Sequence, residues 1–148
     1  MLSGGPASGK STYGKLLAAR EAFVVCSRDE VRRELRRKKP DATEDEIFLT
    51  FVLSILNELR QKRNVVADAT FSNWERRKQL IAHVMLFDVS TVIELHHLQT
   101  PLDECKRRNA ARPRRERVPE ADVERLHREV TMSLFMHPPG CPVLQVSA

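Results

Sequence analysis

The chain has 148 residues, enough for one domain spanning 1–148 that removes roughly 68–70% of its unfolded surface from water without disulfide or metal staples. Charged residues make up 30% and apolar ones 41%, an ordinary globular balance, and no apolar run approaches the roughly 18 residues of a membrane span. The net charge of +5 favours acidic partners such as nucleic acid or phosphorylated metabolites. With 5% aromatic residues, no large stacking platform is available. Three scattered cysteines, Cys26, Cys105 and Cys141, with no C-x-x-C spacing, fit the reduced thiols of a cytoplasmic protein. The first residues do not read as a signal peptide, and a soluble, intracellular protein is expected.

Met1-Leu2 is too short for a full strand and predicts a stub. Gly4-Gly5-Pro6-Ala7-Ser8-Gly9-Lys10-Ser11-Thr12 is the pattern G-x-x-x-x-G-K-S, a phosphate-binding loop. Its glycines let successive N–H groups turn inward on an anion, and the following helix adds the positive end of its dipole. In such a loop Lys10 reaches the β and γ phosphates of ATP and the Ser11 hydroxyl ligates Mg²⁺. The spacing predicts a helix over Lys10–Ala22 and a strand over Phe23–Cys26, buried on both faces. Ser27 and Glu30 form a capping-box pattern for a helix from about Arg28. Val31 and Leu35 lie on its apolar face. Thr43 and Glu46 repeat the pattern ahead of a stripe at 3.6 spacing, Ile47, Phe48, Phe51, Val52, Ile55, Leu56 and Leu59, which predicts core.

Asn64 ends that helix, and Val65–Ala69 reads as the next strand. Ser72 with Glu75 caps a helix to about Phe87, and Thr91–Leu98 is a strand rich in β-branched residues. Thr100-Pro101 caps a short helix with proline at its first position. A basic segment follows, then a helix over Pro119–Leu134, a stop at Pro138-Pro139-Gly140-Cys141-Pro142, and a last strand at Val143–Val146. Alternating strands and helices predict a three-layer α/β/α fold with a mostly parallel sheet. Ligands of such a sheet sit beyond the carboxyl ends of the strands, where Gly4–Ser11, Ser27–Asp29 and Asp68–Thr70 all fall.

Asp29 and Arg32 share one helix face. Opposite a phosphate loop they offer a carboxylate to deprotonate a hydroxyl and a cation to hold its acceptor; elsewhere the same spacing is a solvated ion pair. Asp68 closes an apolar strand, either as a Mg²⁺-shell carboxylate or as a turn residue. Arg28 reads as a solvated neighbour. Lys106–Arg117 holds seven basic side chains, Lys106, Arg107, Arg108, Arg112, Arg114, Arg115 and Arg117, against Glu116. The segment spanning about 105–119 is where nucleotide kinases carry a lid, and one of these arginines is expected over the transferring phosphoryl group. His96 and His97 are consecutive on a strand and point to opposite faces, so they form no metal pair. They, His83, His127 and His137 read as structural or surface residues, and Trp74 as a packing residue.

Together these motifs resemble the phage-type 5′-hydroxyl polynucleotide kinases, within a group of zeta-toxin-like P-loop kinases. Gly4–Thr12 resembles the family's phosphate loop, and Ser27-Arg28-Asp29-Glu30-Val31-Arg32 its R-D-x-x-R acceptor motif. Asp68-Ala69-Thr70 with Glu75-Arg76-Arg77 resembles its strand-end aspartate and following helix, and Arg108-Asn109-Ala110-Ala111-Arg112 with Val118-Pro119 its lid. The resemblance implies transfer of the γ-phosphate of ATP to the 5′-hydroxyl end of DNA or RNA. It implies Asp29 as general base and Arg32 as ligand of the acceptor's 3′-side phosphate. It places Arg112 on the donor phosphates, and Arg108 and Val118 beside the adenine. Asp68, with Thr70, becomes an acceptor-side group, in competition with the Mg²⁺ reading. The chain departs from the family in its stub first strand and in one extra residue between Arg112 and Val118. A kinase of the same fold acting on a hydroxymethylated base, a nucleoside or an antibiotic, and a non-catalytic nucleic-acid-binding module that senses ATP, remain open alternatives.

Overall fold

The computed structural model describes residues 1–134 and 141–146. The elements run β1 (Leu2–Ser3), α1 (Lys10–Glu21), β2 (Val24–Ser27), α2 (Arg28–Lys38), α3 (Glu44–Arg60), β3 (Val65–Asp68), α4 (Trp74–Phe87), β4 (Leu95–Leu98), α5 (Leu102–Ala110), a 3₁₀ turn at Arg114–Glu116, α6 (Glu120–Leu134) and β5 (Val143–Val146). All five strands are parallel, in the order β2-β3-β1-β4-β5. The chain leaves β1 for the far edge at β2, returns to β3 beside β1, and then crosses to β4 and β5. The loop after β1 therefore sits where the strand order reverses, the place at which parallel sheets bind ligands. The predicted α/β/α architecture with its parallel sheet is the one observed.

Period-two alternation sorts the sheet residues between layers. On β3, Ala67 joins Cys26, Ala69 and Phe71 in a core against Phe48, Phe51, Val52 and Ile55 of α3 and Leu80 and Val84 of α4. Val66 faces the other way, and a Cβ on Gly14 of α1 would lie 3.4 Å from it and 3.0 Å from Leu2. A side chain at Gly14 would press on Leu2, so glycine is what lets α1 sit this close without Leu2 giving way. The apolar stripe of α3 is core, as its spacing predicts. Its capping box is complete: Glu46 N–H donates to Thr43 Oγ1 at 3.2 Å, and Thr43 N–H to Glu46 Oε2 at 2.8 Å.

Several local expectations are corrected. Ser27 precedes α2, but its side chain makes no capping bond. The helix relies instead on Asp29 and Glu30 in its first turn and Arg36, Arg37 and Lys38 in its last, which complement its dipole. The cap of α4 is Asn73, whose Oδ1 accepts from Glu75 N–H at 2.8 Å, and not Ser72. β2 is only half-buried, because it is the edge strand rather than a central one. The predicted strand over Thr91–Leu98 is regular only from Leu95; β5 begins opposite it at Val143, and β1 opposite His96 at Leu2, so residues 91–94 have no strand to pair with. Thr100 does not cap α5; its hydroxyl is used elsewhere. The proposed stop at 138–140 and His137 lie outside the described residues, and among the described residues no helix is long and apolar enough to cross a membrane.

Candidate nucleotide and acceptor site

The loop between β1 and α1 closes on itself. Ser8 N–H donates to the Gly5 carbonyl at 3.2 Å, Ala7 adopts φ 60° and Gly9, at the head of α1, φ 96°. A Cβ on Gly4, at φ 155°, would stand 2.5 Å from Ser8 Oγ, so no other residue fits there. Residues Gly4, Gly5, Pro6, Ala7 and Ser8 are buried. Two groups absent from the motif support them from outside: Thr100 Oγ1 donates to the Ser8 carbonyl at 2.8 Å, and the ring of His127 bonds the Thr100 carbonyl at 3.0 Å and packs on Gly5. Nothing in the spacing of Thr100 or His127 announces this role.

Lys10 Nζ donates to the carbonyls of Gly4 (2.9 Å) and Gly5 (2.8 Å). Burial lowers its pKa to about 8 against the opposing pull of Asp68 and Asp29. Ser11 Oγ donates to Asp68 Oδ2 at 2.8 Å. Burial raises the Asp68 carboxyl, with the Ser11 hydroxyl and the Lys10 charge acting the other way. A buried, under-compensated acid beside a hydroxyl is a donor pair suited to Mg²⁺. Among the described residues no three His, Cys, Asp or Glu gather into a metal cage. Mg²⁺ requires none, since it is commonly held by one or two protein groups, substrate phosphates and water. The residues present fit the ion. Thr12 is exposed on α1, and Thr70 is half-buried just past Asp68.

Asp29 stands on the first turn of α2 with its side chain 85% exposed. Its charge is felt at both Lys10 and Asp68, so strand ends β1, β2 and β3 bring these groups into one crevice. Arg32 Nη1 donates to Asp29 Oδ1, while its Nε and Nη2 donate to Glu44 at 3.2 and 3.0 Å. Arg28 is not a solvated neighbour. Its guanidinium bonds Glu44 at 2.9 Å, lies 5.9 Å from the Phe48 ring and is partly desolvated. Glu44 also accepts from Arg36 at 3.0 Å; in the sequence it looks only like the first residue of a helix.

From the opposite wall, Arg112 places positive charge within reach of Lys10. Its carbonyl accepts from Arg117 Nε at 2.7 Å. Arg107 and Arg108 are turned to Glu104, at 2.7 and 2.6 Å, and Lys106 to Glu120 and Glu124. The connection from α5 to α6 is held by Asn109, whose side chain donates to the Val118 carbonyl at 2.7 Å and accepts from the Val118 N–H at 3.0 Å. Arg77 does not reach the crevice. It is fully buried and donates to the carbonyl of Phe71 at 3.0 Å and to Ser133 Oγ at 2.8 Å.

The profile of a family described as an AAA domain matches residues 1–132. No curated protein matches the chain in sequence. Solved structures do match in fold. A protein of Chloroflexus aurantiacus J-10-fl described as a candidate kinase superposes with a TM-score of 0.75 at 16% identity, over 99% of this chain and 82% of that one. A chain of the Pnkp1/Rnl/Hen1 RNA repair complex superposes with a TM-score of 0.76 at 21% identity, over 93% of this chain and 45% of that one, so the present chain spans under half of that relative. The deoxyadenosine kinase of M. mycoides gives 0.59 at 16% identity, over 98% of this chain and 87% of that one. With the phosphate loop, the Ser11–Asp68 pair and the parallel sheet in place, the chain belongs to the AAA_33 family of AAA domains and has the P-loop kinase fold.

Proposed function

We propose that the protein is an ATP-dependent phosphotransferase acting on the 5′-hydroxyl end of a polynucleotide. The observation that carries this reading is Asp29. It is an exposed carboxylate on the acceptor side of a phosphate loop, close enough to influence Lys10 and Asp68, with one oxygen on Arg32 and the other free of any protein donor among the described residues. The likeness in fold to a chain of an RNA repair complex supports a nucleic-acid acceptor.

The donor ATP lies with its phosphates on the inward N–H groups of Gly4–Ser11 and the N-terminus of α1. Lys10 turns from the loop carbonyls to the β and γ phosphates. Ser11 and Asp68 would hold Mg²⁺, which when bound would supply positive charge against the phosphoryl group; the 2.8 Å bond between them favours this role for Asp68 over an acceptor contact. Arg112 lies over the donor phosphates, with Arg108 and Val118 beside the base. The acceptor's 5′-oxygen attacks the γ-phosphorus as the bond to the β–γ bridging oxygen breaks. Asp29 takes the hydroxyl proton, ADP leaves, and Arg32 holds the phosphate on the acceptor's 3′ side.

Labelled ATP offered to 5′-hydroxyl DNA, the matching RNA, a 5′-phosphorylated control and free nucleosides tests the reading. Label is expected on the 5′ oxygen of the polynucleotides and absent from the control. Asp29→Ala is expected to lower turnover about 10²–10⁴-fold, the usual worth of a positioned base, with ATP affinity retained. Near-normal turnover in that variant, or label on a base or a free nucleoside alone, overturns the assignment.

A further inference from the structure

Three arginines at i, i+4 and i+8 of α2, Arg28, Arg32 and Arg36, converge on one carboxylate. Glu44 Oε2 accepts from Arg28 at 2.9 Å and Arg32 at 3.0 Å, and Oε1 from Arg32 at 3.2 Å and Arg36 at 3.0 Å. Each oxygen thus carries two donors and the carboxylate is saturated. Around it stand three positive charges for one negative, and Asp29 takes a single further bond from Arg32. A guanidinium carries five N–H donors, so most of those in the cluster remain for another acceptor. Arg28 and Arg76 also flank the Phe48 ring, at 5.9 and 4.7 Å, which fixes the inner wall of the cluster.

The cluster has a direction. Side-chain exposure rises along α2 from 21% at Arg28 through 29% at Arg32 to 47% at Arg36, so the cations lead outward from the Asp29 crevice into solvent. Successive members start about 6 Å apart along the helix axis, from its rise per residue. A single small anion would be served at one point. Surplus cations staged outward from the reacting end suit an acceptor that carries negative charge at regular intervals and leaves the crevice along the helix.

We propose that this face of α2 is a phosphodiester-reading surface for one polynucleotide strand, in which Arg36 binds the phosphate one nucleotide beyond the one held by Arg32. The inference rests on the kinase reading for the position of the strand's end, and it adds that the acceptor is recognised over more than its terminal nucleotide.

The test uses Arg36→Gln and Arg36→Lys in the full chain, with a 3′-fluorescein-labelled, 5′-hydroxyl decanucleotide as binding probe and a nucleoside 3′-monophosphate as short acceptor. For single strands, log affinity falls against log salt with a slope of about 0.7 per phosphate neutralised. Arg36→Gln is expected to flatten the slope by about that amount and to weaken decanucleotide binding about tenfold at low salt, while Arg36→Lys keeps the slope. Transfer to the nucleoside 3′-monophosphate is expected to stay within about twofold, since it has no second phosphate. An unchanged slope in Arg36→Gln, or an equal loss on both acceptors, overturns the proposal. If the wild-type chain transfers to no 5′-hydroxyl yet binds the probe with an Arg36-dependent slope, the surface stands and the kinase reading falls.

Discussion

At Lys10 a cation is held by two carbonyls in a place where burial brings its pKa down to about 8. Phosphates placed against it favour the charged form and push that value back toward the ordinary lysine range. Nucleotide binding at pH 8 to 8.5 is therefore expected to take up protons, because the free protein holds the amine partly neutral and the complex holds it charged. At pH 6.5 the amine is charged in both states and contributes no uptake. Titration calorimetry in two buffers of different ionisation enthalpy measures the count directly; equal counts at both pH values would contradict this account of the lysine. The motif names Lys10 but is silent on its environment, which is set by chain distant in sequence. Arg77 makes the converse point. It belongs to the E-R-R run that resembles the polynucleotide kinases, yet its guanidinium serves the interior, on Phe71 and Ser133. Phe71 sits in the left-handed region at φ 48°, and Arg77 is one of the groups that holds its carbonyl.

Among the elements, legibility followed how local each signal was. The phosphate loop, the stripe of α3 and the Thr43–Glu46 cap were readable because each is complete within one or two helical turns. The extent of β4 was not, since it depends on where β1 and β5 begin, and neither was the gathering of Arg28, Arg32 and Arg36 on Glu44, a contact between two helices. The α5–α6 connection shows the same division: its basic composition is plain in the sequence, but its shape depends on Asn109. Spanning nine residues, that amide satisfies both backbone groups of Val118, as a neighbouring strand would. Asn109→Leu, similar in size and unable to bond, leaves a partly buried N–H and carbonyl unmet, at about 1–3 kcal/mol for each group that finds no water. The connection is expected to loosen while the sheet stays intact. Limited proteolysis should cut within residues 111–119 of this variant well before the wild type, and the KM for ATP should rise about tenfold if Arg112 and Val118 serve the donor. Unaltered cleavage would show that the segment is held by other contacts.

Across the whole molecule, the polar groups of the candidate site and those of the amino-terminal end lie at opposite ends of the sheet. The carboxyl ends carry the loop, Asp29 and Asp68. The amino ends surround a cavity of about 690 Å³ lined by Met1, Val65, Val66, Ala67, Ile93 and Glu94 among others. β2 pairs with β3 over four residues, but β1 pairs with β3 only at Leu2↔Asp68; Met1 lines this cavity, and its ammonium donates to the Glu94 carbonyl at 2.5 Å. Burial lowers its pKa from 8.0 to about 6, with Cys141 and Glu94 opposing. A folded-state value below the unfolded one means that the unfolded chain binds more protons between the two, so stability rises with pH across that window. For this chain with Met1 as its first residue, unfolding free energy is expected to climb by about 2–3 kcal/mol between pH 6 and 8, the equivalent of two pKa units. Lys10, lowered from 10.5 to about 8, adds its own rise above that window, and His97, lowered from 6.5, adds one that ends at pH 6.5, overlapping the acid end of the Met1 window. The Lys10 contribution is thus separable by pH, and the Met1 contribution is read cleanly between pH 7 and 8. Acetylating Met1 leaves an N–H for Glu94 and removes the charge, so urea unfolding of the acetylated chain should show a flat profile from about pH 7 to 8 and keep the rise just above 8. A slope that survives acetylation would place its origin in another group.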